Sequence, residues 1–121
     1  MKLTILAVDD SRTMRNLLKQ ALSEAGFDVH VAEDGIHGLE TLENCAPDVI
    51  ITDINMPRLD GFGFIEAVRA GPQCKSVPIL TLTTESAPAM KERARNAGAT
   101  GWIVKPFDKA KLVAAIRRVA A

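Results

Sequence analysis

The sequence predicts a single α/β domain, residues 1–121, built as a doubly wound parallel sheet. Five short apolar runs alternate with five segments whose apolar residues recur at helical spacing. Such alternation favours a parallel sheet with helices on both faces. The length of 121 residues, with 47% hydrophobic and 25% charged residues, fits one globular domain of ordinary size.

The first unit is an apolar run that ends on two carboxylates. Residues 3–8 form a strand buried on both faces, and Asp9 and Asp10 follow it. Either Ser11 or Asp10 then caps a helix. Gly26 stands where a left-handed residue would end that helix. The helix presents an apolar stripe of Met14, Leu17, Leu18, Ala21, Leu22 and Ala25.

The second unit has the pattern of an edge strand. Its apolar residues alternate with polar ones, as in a strand with one solvated face. The pair Asp34-Gly35 predicts a turn, and a short helix marked by Leu39 and Leu42 ends before Pro47. The alternating residues are Phe27, Val29 and Val31.

The third unit contains a strand that ends on a candidate functional residue. Residues 48–53 are rich in β-branched side chains and end on a carboxylate. Residues 54–61 contain turn signals and cannot continue a central strand. Asp53 should therefore lie at the carboxyl end of a buried strand, the edge at which open α/β sheets bind ligands. A helix with the stripe Phe62, Ile65 and Val68 follows and is broken by Gly71-Pro72.

The last two units complete the alternation. Residues 77–82 form the fourth strand, closed by Thr83 and Thr84, and the polar, Ala-rich helix 89–96 ends at Gly98. The fifth strand, 101–104, runs into Lys105-Pro106. Asp108 caps a final helix with the stripe Leu112, Ala115, Ile116 and Val119.

Right-handed crossovers restrict the topology to a few options. The order 2-1-3-4-5 is the known order of flavodoxin-like folds, and by analogy with that class it is the order expected for this sheet. In this order strands one, three, four and five bring their carboxyl ends together.

That edge collects groups that handle phosphate or metal. They are Asp9, Asp10, Asp53, Thr83, Thr84 and Lys105. Each of these residues, taken alone, also has an ordinary structural role. An Asp after a strand is commonly a cap or turn residue, and a Thr at a strand end is commonly there as a β former. A Lys before Pro is commonly a solvated loop residue. Their joint placement at one edge favours a functional site.

Clustered carboxylates repel one another unless a cation is present, and hard oxygen ligands favour Mg²⁺. We expect Asp10 and Asp53 to be direct metal ligands and Asp9 to act mainly through water. The Asn55 carbonyl would be the remaining protein ligand. Asp53 would attack phosphorus and form an acyl phosphate. The metal and Lys105 would neutralise the phosphoryl charge, and the Thr83 hydroxyl would donate to a phosphoryl oxygen.

The motifs that carry this chemistry resemble those of the receiver domains of two-component response regulators, above all their stand-alone chemotaxis members. The likeness covers essentially the full chain. The matching stretches are Ala7-Val8-Asp9-Asp10-Ser11, residues 52–61, Thr83-Thr84-Glu85, Gly98-Ala99 and Lys105-Pro106-Phe107.

The resemblance implies that a histidine kinase of the chemotaxis type (CheA-like) donates its phosphohistidine phosphoryl group to Asp53. It implies Mg²⁺ held by the three carboxylates and the Asn55 carbonyl, with Thr83, Thr84 and Lys105 around the phosphoryl group. It also implies a cis peptide before Pro106. The activity expected is self-catalysed phosphotransfer and autodephosphorylation, without turnover of a separate substrate.

Two positions depart from the family pattern. Trp102 stands where an aromatic, usually Tyr or Phe, swings inward with the Thr83 hydroxyl. Tryptophan is larger, so either this switch or a half-buried packing role fits. Thr84 stands where Ala or Gly is common, and its branched side chain is expected to crowd the site.

Output should pass through a docked partner, a flagellar motor switch protein or another output protein. The predicted surface is the fourth helix, fifth strand and fifth helix, where basic residues face either an acidic partner or solvent. The kinase is expected at Met14 and Arg15 on the first helix. The basic residues are Lys91, Lys109, Lys111, Arg117 and Arg118.

Composition limits the classes of protein to which the chain can belong. The formal net charge of zero gives no nucleic-acid footprint, and no apolar run approaches the ~20 residues of a membrane span. Cys45 and Cys74 are isolated, as expected for reduced thiols in a cytoplasmic protein, and we expect a monomer.

Three alternatives stay open at this point. The chain could be a phosphate sink or adaptor in another pathway. A phosphatase with an Asp nucleophile would need an acid two residues past Asp53, where Asn55 stands. A flavin or nucleotide module would need a phosphate loop after the first strand, where Asp9-Asp10 would repel phosphate without metal.

Overall fold

The computed structural model describes residues 2–72, 74 and 76–121. Strands and helices alternate along the chain in the predicted order. The strands are β1 Thr4–Val8, β2 Asp28–Ala32, β3 Val49–Thr52, β4 Ile79–Thr83 and β5 Gly101–Val104. The helices are α1 Arg12–Glu24, α2 Gly35–Leu42, α3 Gly61–Ala70, α4 Pro88–Ala97 and α5 Lys109–Ala120.

The five strands form one parallel sheet in the order β2-β1-β3-β4-β5, which confirms the predicted fold class and strand order. β2 lies at an edge, as its alternating pattern indicates, and all four residues of β3 are buried. Val8 pairs with Thr52, so β1 and β3 end side by side. The residues that follow these strands therefore meet at one edge of the sheet.

Two apolar layers hold the helices against the sheet. On one face, α1 and α5 pack on the strands through Leu18, Leu22, Leu112 and Ile116. On the other face, α2 and α3 pack through Leu42, Phe64, Ile65 and Val68. Because helices cover both faces, the central strands are mostly apolar. Thr81 is an exception in the middle of β4, and its hydroxyl donates to the Gly101 carbonyl at 3.1 Å. Within the described ranges, no helix combines the length and apolar character needed to cross a membrane.

Local signals define several helix ends. The Ser11 hydroxyl, rather than Asp10, accepts the Met14 N–H at 3.2 Å and caps α1. The Asp108 carboxylate accepts the Lys111 N–H at 3.0 Å and caps α5. Gly26 and Gly98 adopt φ of 95° and 119°, the left-handed conformation that ends a helix at low cost for glycine.

Two local predictions are wrong. Leu17 was expected in the buried stripe of α1 but is 48% exposed. Each residue turns a helix by about 100°, so the neighbouring Leu18 faces the sheet while Leu17 points away. The pair Asp34-Gly35 was expected to form a turn. Instead the Asp34 carboxylate accepts the His37 N–H at 2.9 Å, and α2 begins at Gly35.

β4 also begins two residues later than predicted. Proline has no N–H to donate to a sheet, which favours a strand that starts after Pro78. The Pro78 carbonyl still accepts the Ile50 N–H at 2.9 Å, so the chain is already aligned beside β3.

Candidate phosphoacceptor and metal site

Three carboxylates meet where β1 and β3 end. Asp9 and Asp10 follow β1 directly, and Asp53 follows β3. The Asp53 N–H donates to the Val8 carbonyl at 2.9 Å, which continues the pairing of the two strands into the site. One ligand oxygen each from Asp9, Asp10 and Asp53 lies within 4.8 Å of the others. The structure thus brings together the three carboxylates that the sequence placed at this edge.

A single ammonium group joins two of these carboxylates. Lys105 Nζ lies 2.8 Å from Asp9 Oδ2 and 2.8 Å from Asp53 Oδ2. The Lys105 side chain is only 11% exposed, so the contact is shielded from bulk water. The Lys105 N–H donates to the Thr83 carbonyl at 2.8 Å, and its peptide bond to Pro106 is cis, the isomer that the resemblance implies.

Main-chain groups orient the same carboxylates. Asp9 Oδ1 accepts the Ser11 N–H at 2.9 Å, and Asp53 Oδ1 accepts the Ile54 N–H at 2.6 Å. Arg15 Nη1 donates to the Asp9 carbonyl at 2.8 Å. Asp9 and Asp53 are therefore held by their own turns as well as by the ammonium group. Asp10 is exposed to solvent.

Burial and charge act against each other in this cluster. Removal of the Asp9 carboxylate from water raises its pKa, and the hydrogen bonds from Lys105 and Ser11 only partly offset that rise. Burial lowers the pKa of Lys105, but its contacts with Asp53 and Asp9 outweigh this effect and leave the pKa raised. Lys105 therefore stays protonated at neutral pH and supplies a fixed positive charge.

The donor set suits a hard divalent cation. Three carboxylates against one ammonium leave a net charge of −2 when all four groups are ionised. Mg²⁺ binds through one or two carboxylates, waters and phosphate oxygens, which matches a partly open acidic cluster. Asp9, Asp10, Asp53 and the Asn55 carbonyl are the groups that would hold it.

A glycine allows the chain to turn closely around Asp53. A Cβ at Gly61 would lie 2.7 Å from the Ile54 Cα and would also overlap the Asp53 carbonyl oxygen. The Gly61 N–H instead donates to the Ile54 carbonyl at 2.8 Å. The backbone on both sides of Asp53 therefore depends on the missing side chain at Gly61.

The loop after β4 borders the site. Thr83 ends β4, is fully buried, and its hydroxyl accepts the Glu85 N–H at 3.3 Å. Thr84 is exposed. The described contacts include none between either threonine side chain and Asp53, so their phosphoryl-binding roles stay predictions.

Glu85 joins this loop to two functional candidates. The Asn55 side-chain amide donates to Glu85 Oε1 at 3.3 Å, and Trp102 Nε1 donates to the Glu85 carbonyl at 3.0 Å. Trp102 is half-buried and packs beside Ile54 and Phe62. The sequence singled out Glu85 only as part of a motif. Its contact with Trp102 runs through a backbone carbonyl, which every residue has, so no residue type signals that contact.

The raised pKa of Asp9 has a consequence for stability. Its folded pKa exceeds the ordinary value of 3.8, so the free energy of unfolding falls as pH rises through the window between these two values and stays lower above it. Asp9→Asn removes the charge and keeps one side-chain oxygen, which can still accept the Ser11 N–H, while Lys105 keeps its contact with Asp53. In Mg²⁺-free buffer we expect Asp9→Asn to be more stable than the unchanged chain at pH 7, by a margin that shrinks as pH falls.

Urea unfolding between pH 7 and the lowest pH at which both proteins fold would measure this margin. Asp28→Asn, at an exposed carboxylate beside His30, is the matched control for loss of one negative charge. A less stable Asp9→Asn at pH 7, or a gain independent of pH, would contradict the assignment.

Comparison with known proteins places this site in a family. Residues 5–117 match the response regulator receiver domain. The chain is 39% identical to a probable chemotaxis protein CheY of Rhizobium etli, over 98% of this chain and 92% of that protein. It is 44% identical to chemotaxis protein CheY4 of Vibrio cholerae, whose structure superimposes with a TM-score of 0.94 over 98% of this chain and 99% of that one.

A receiver domain of a sensor histidine kinase from Pseudomonas aeruginosa PAO1, solved with a magnesium ion coordinated in its active site cleft, is also similar. It is 28% identical, with a TM-score of 0.91 over 99% of this chain and 98% of that one. The carboxylate cluster, the parallel sheet and these full-length similarities agree: the chain belongs to the response regulator receiver domains and is similar to the CheY chemotaxis proteins.

Proposed function

We propose that Asp53 accepts a phosphoryl group from the phosphohistidine of a CheA-like histidine kinase, with Mg²⁺ bound at the carboxylate cluster. The observation that carries this proposal is the ammonium group of Lys105, 2.8 Å from both Asp9 and Asp53 in a nearly buried setting. A transferring phosphoryl group gathers negative charge on its oxygens, and fixed positive charge beside the acceptor stabilises it.

The transfer uses groups already in place. An Asp53 carboxylate oxygen attacks phosphorus, the phosphorus–nitrogen bond of the phosphohistidine breaks, and the imidazole nitrogen keeps the electron pair. Lys105, freed from part of its contact with Asp53, donates to a phosphoryl oxygen. When bound, Mg²⁺ neutralises charge on the phosphoryl oxygens. The magnesium-bound receiver domain from Pseudomonas supports this choice of ion.

The environment of Asn55 separates this function from that of a phosphatase. A phosphatase with an Asp nucleophile needs an acid at this position, but the Asn55 amide cannot release a proton and donates to Glu85. Receiver domains are phosphoacceptors without a separate catalytic activity, which agrees with an amide instead of an acid at position 55.

We propose that the phosphoryl transfer takes place in the cytoplasm, where the free thiols of Cys45 and Cys74 stay reduced.

Incubation with Mg²⁺ and a small phosphodonor, followed by intact mass measurement, tests the chemistry. The unchanged chain should gain the mass of one phosphoryl group, and chelation of Mg²⁺ should prevent the gain. Asp53→Asn should gain nothing, because an amide is not a nucleophile for phosphorus. Asp28→Asn keeps the site and should be modified like the unchanged chain; a phosphate adduct that survives in Asp53→Asn would refute the assignment.

We propose the kinase-docking surface on α1, beside the carboxylates. Met14 and Leu17 lie three residues apart and so share one side of the helix. Leu17 is 48% exposed, one of two large exposed hydrophobic side chains in the described part of the chain. Arg15 faces the site, since it donates to the Asp9 carbonyl, so it is a poorer place than Leu17 to test docking.

Leu17→Asp should slow phosphotransfer from a purified phosphohistidine domain of a chemotaxis kinase, because it places a charge on the apolar docking surface. Phosphorylation by a small phosphodonor should be unchanged, since that reaction needs no protein docking. Lys19→Asp, at an exposed position two residues away, is a stringent control for charge, because it makes the chain more negative by two units where Leu17→Asp adds one. Equal transfer rates for Leu17→Asp and the unchanged chain would contradict this surface.

We propose that output occurs on α4, β5 and α5, next to Trp102. α4 and β5 border a cavity of about 290 Å³. Only Ala94 of α4 is buried, so this helix is weakly held and can shift position at modest cost. Phosphorylation would bias the population of α4 positions through the Glu85 contact of Trp102. The cavity is lined by Pro88, Lys91, Glu92, Ala94, Arg95, Ala99, Thr100, Gly101 and Trp102.

Binding of a purified flagellar motor switch protein should tighten when Asp53 is phosphorylated. Lys91→Glu should weaken that binding, because it reverses charge at the cavity, while phosphate uptake on Asp53 stays normal. Lys19→Glu on α1 is the matched control. Phosphate uptake without any change in binding would favour the phosphate-sink or adaptor role over motor control.

A further inference from the structure

The loop between Asp53 and α3 contains a strained turn. Arg58 adopts φ of 65°, which is uncommon for a residue with a side chain. The Leu59 N–H donates to the Pro57 carbonyl at 2.7 Å, so residues 57–59 form a three-residue γ-turn around this positive φ. Such turns are rare and persist only where the surrounding structure holds them.

The Arg58 side chain holds this turn in place through an ion pair with Asp34. Its Nε lies 2.7 Å from Asp34 Oδ2 and its Nη2 lies 2.9 Å from Asp34 Oδ1. This paired, charge-assisted contact is stronger and more directional than a single hydrogen bond. The Asp34 side chain is only 4% exposed and also accepts the His37 N–H, so it belongs to the fixed amino end of α2.

A backbone contact lies beside the ion pair. The Gly35 N–H donates to the Leu59 carbonyl at 3.2 Å. A Cβ at Gly35 would lie 2.6 Å from that carbonyl oxygen and 2.9 Å from the Leu59 Cβ, so only glycine allows the loop to approach α2 this closely. Two independent contacts therefore join the γ-turn to the amino end of α2.

We propose that Arg58 is a positioning residue for the metal site. Its pairing with Asp34 holds the γ-turn, and the γ-turn holds the preceding segment in which Asn55 presents its carbonyl. The loop then already has the conformation for binding Mg²⁺ before the ion arrives. This inference rests on the proposed function, in which the Asn55 carbonyl is a ligand. The side chain of Arg58 contacts α2 and takes no part in the chemistry at Asp53.

Three substitutions separate this role from general stability. Arg58→Gly removes the ion pair but accommodates the positive φ. Asp34→Asn removes the ion pair but keeps an oxygen that can cap α2. Arg58→Lys keeps the charge without the two-pronged geometry. Arg95→Ala, at an exposed ion pair with Glu92, is the matched control for loss of a surface arginine.

Calorimetric titration with Mg²⁺, at a temperature where every variant is fully folded, measures the effect. Groups that orient metal ligands typically change affinity by about 10-fold or more when removed. We expect the dissociation constant to rise about 10-fold in Arg58→Gly and in Asp34→Asn, less in Arg58→Lys, and not in Arg95→Ala. The double variant Arg58→Gly/Asp34→Asn should bind no more weakly than either single variant, because both remove the same contact.

Amide exchange in Mg²⁺-free protein gives a second readout. The Gly35 and Leu59 amides should exchange faster in Arg58→Gly and Asp34→Asn than in the unchanged chain or Arg95→Ala. Faster exchange without weaker Mg²⁺ binding would make the pair purely structural and overturn the inference, as would no change in either readout. Failure of the unchanged chain to bind Mg²⁺ would instead overturn the proposed function together with this inference.

Discussion

The shared ammonium group of Lys105 is the interaction on which the site depends. Two nearly buried carboxylates stand close together at the ends of adjacent strands, an arrangement that is unfavourable without positive charge. The ammonium group of Lys105 reduces the repulsion between these two carboxylates. Burial nevertheless raises the pKa of Asp9, so ionisation of this carboxylate costs more here than in water. A bound cation would offset part of that cost, so the negative charge of the cluster and its capacity for metal have one physical origin.

The sheet topology makes this interaction possible. Asp9 and Lys105 are far apart in the chain, yet the order β2-β1-β3-β4-β5 brings the ends of their strands to the same edge. Parallel strands with helices on both faces are mostly apolar along their buried lengths, so most polar side chains collect at the strand ends. The glycine at position 61 and the short turns after β1 and β3 then fix the carboxylates within that edge.

The fold and the carboxylate cluster were accessible from the sequence because each depends on a local pattern with a single structural outcome. Short apolar runs that end on polar residues predict buried parallel strands, and the ends of those strands meet whatever the rest of the chain does. Leu17 was placed wrongly because periodicity alone does not tell how wide the contact between α1 and the sheet will be. The contact between Trp102 and Glu85 was not predicted, because it runs through a backbone carbonyl. The contact between Arg58 and Asp34 was not predicted, because it joins two loops whose distance depends on the finished packing.

The contact between Trp102 and Glu85 has an optical consequence. The chain has one tryptophan and no tyrosine, so its near-ultraviolet emission comes from a single indole. The nitrogen of that indole donates to the carbonyl of Glu85, whose own carboxylate accepts from Asn55 beside the acidic cluster. Two hydrogen bonds thus connect the Asn55 side chain with the fluorophore, so a displacement of Asn55 would change the surroundings of the indole without any attached label.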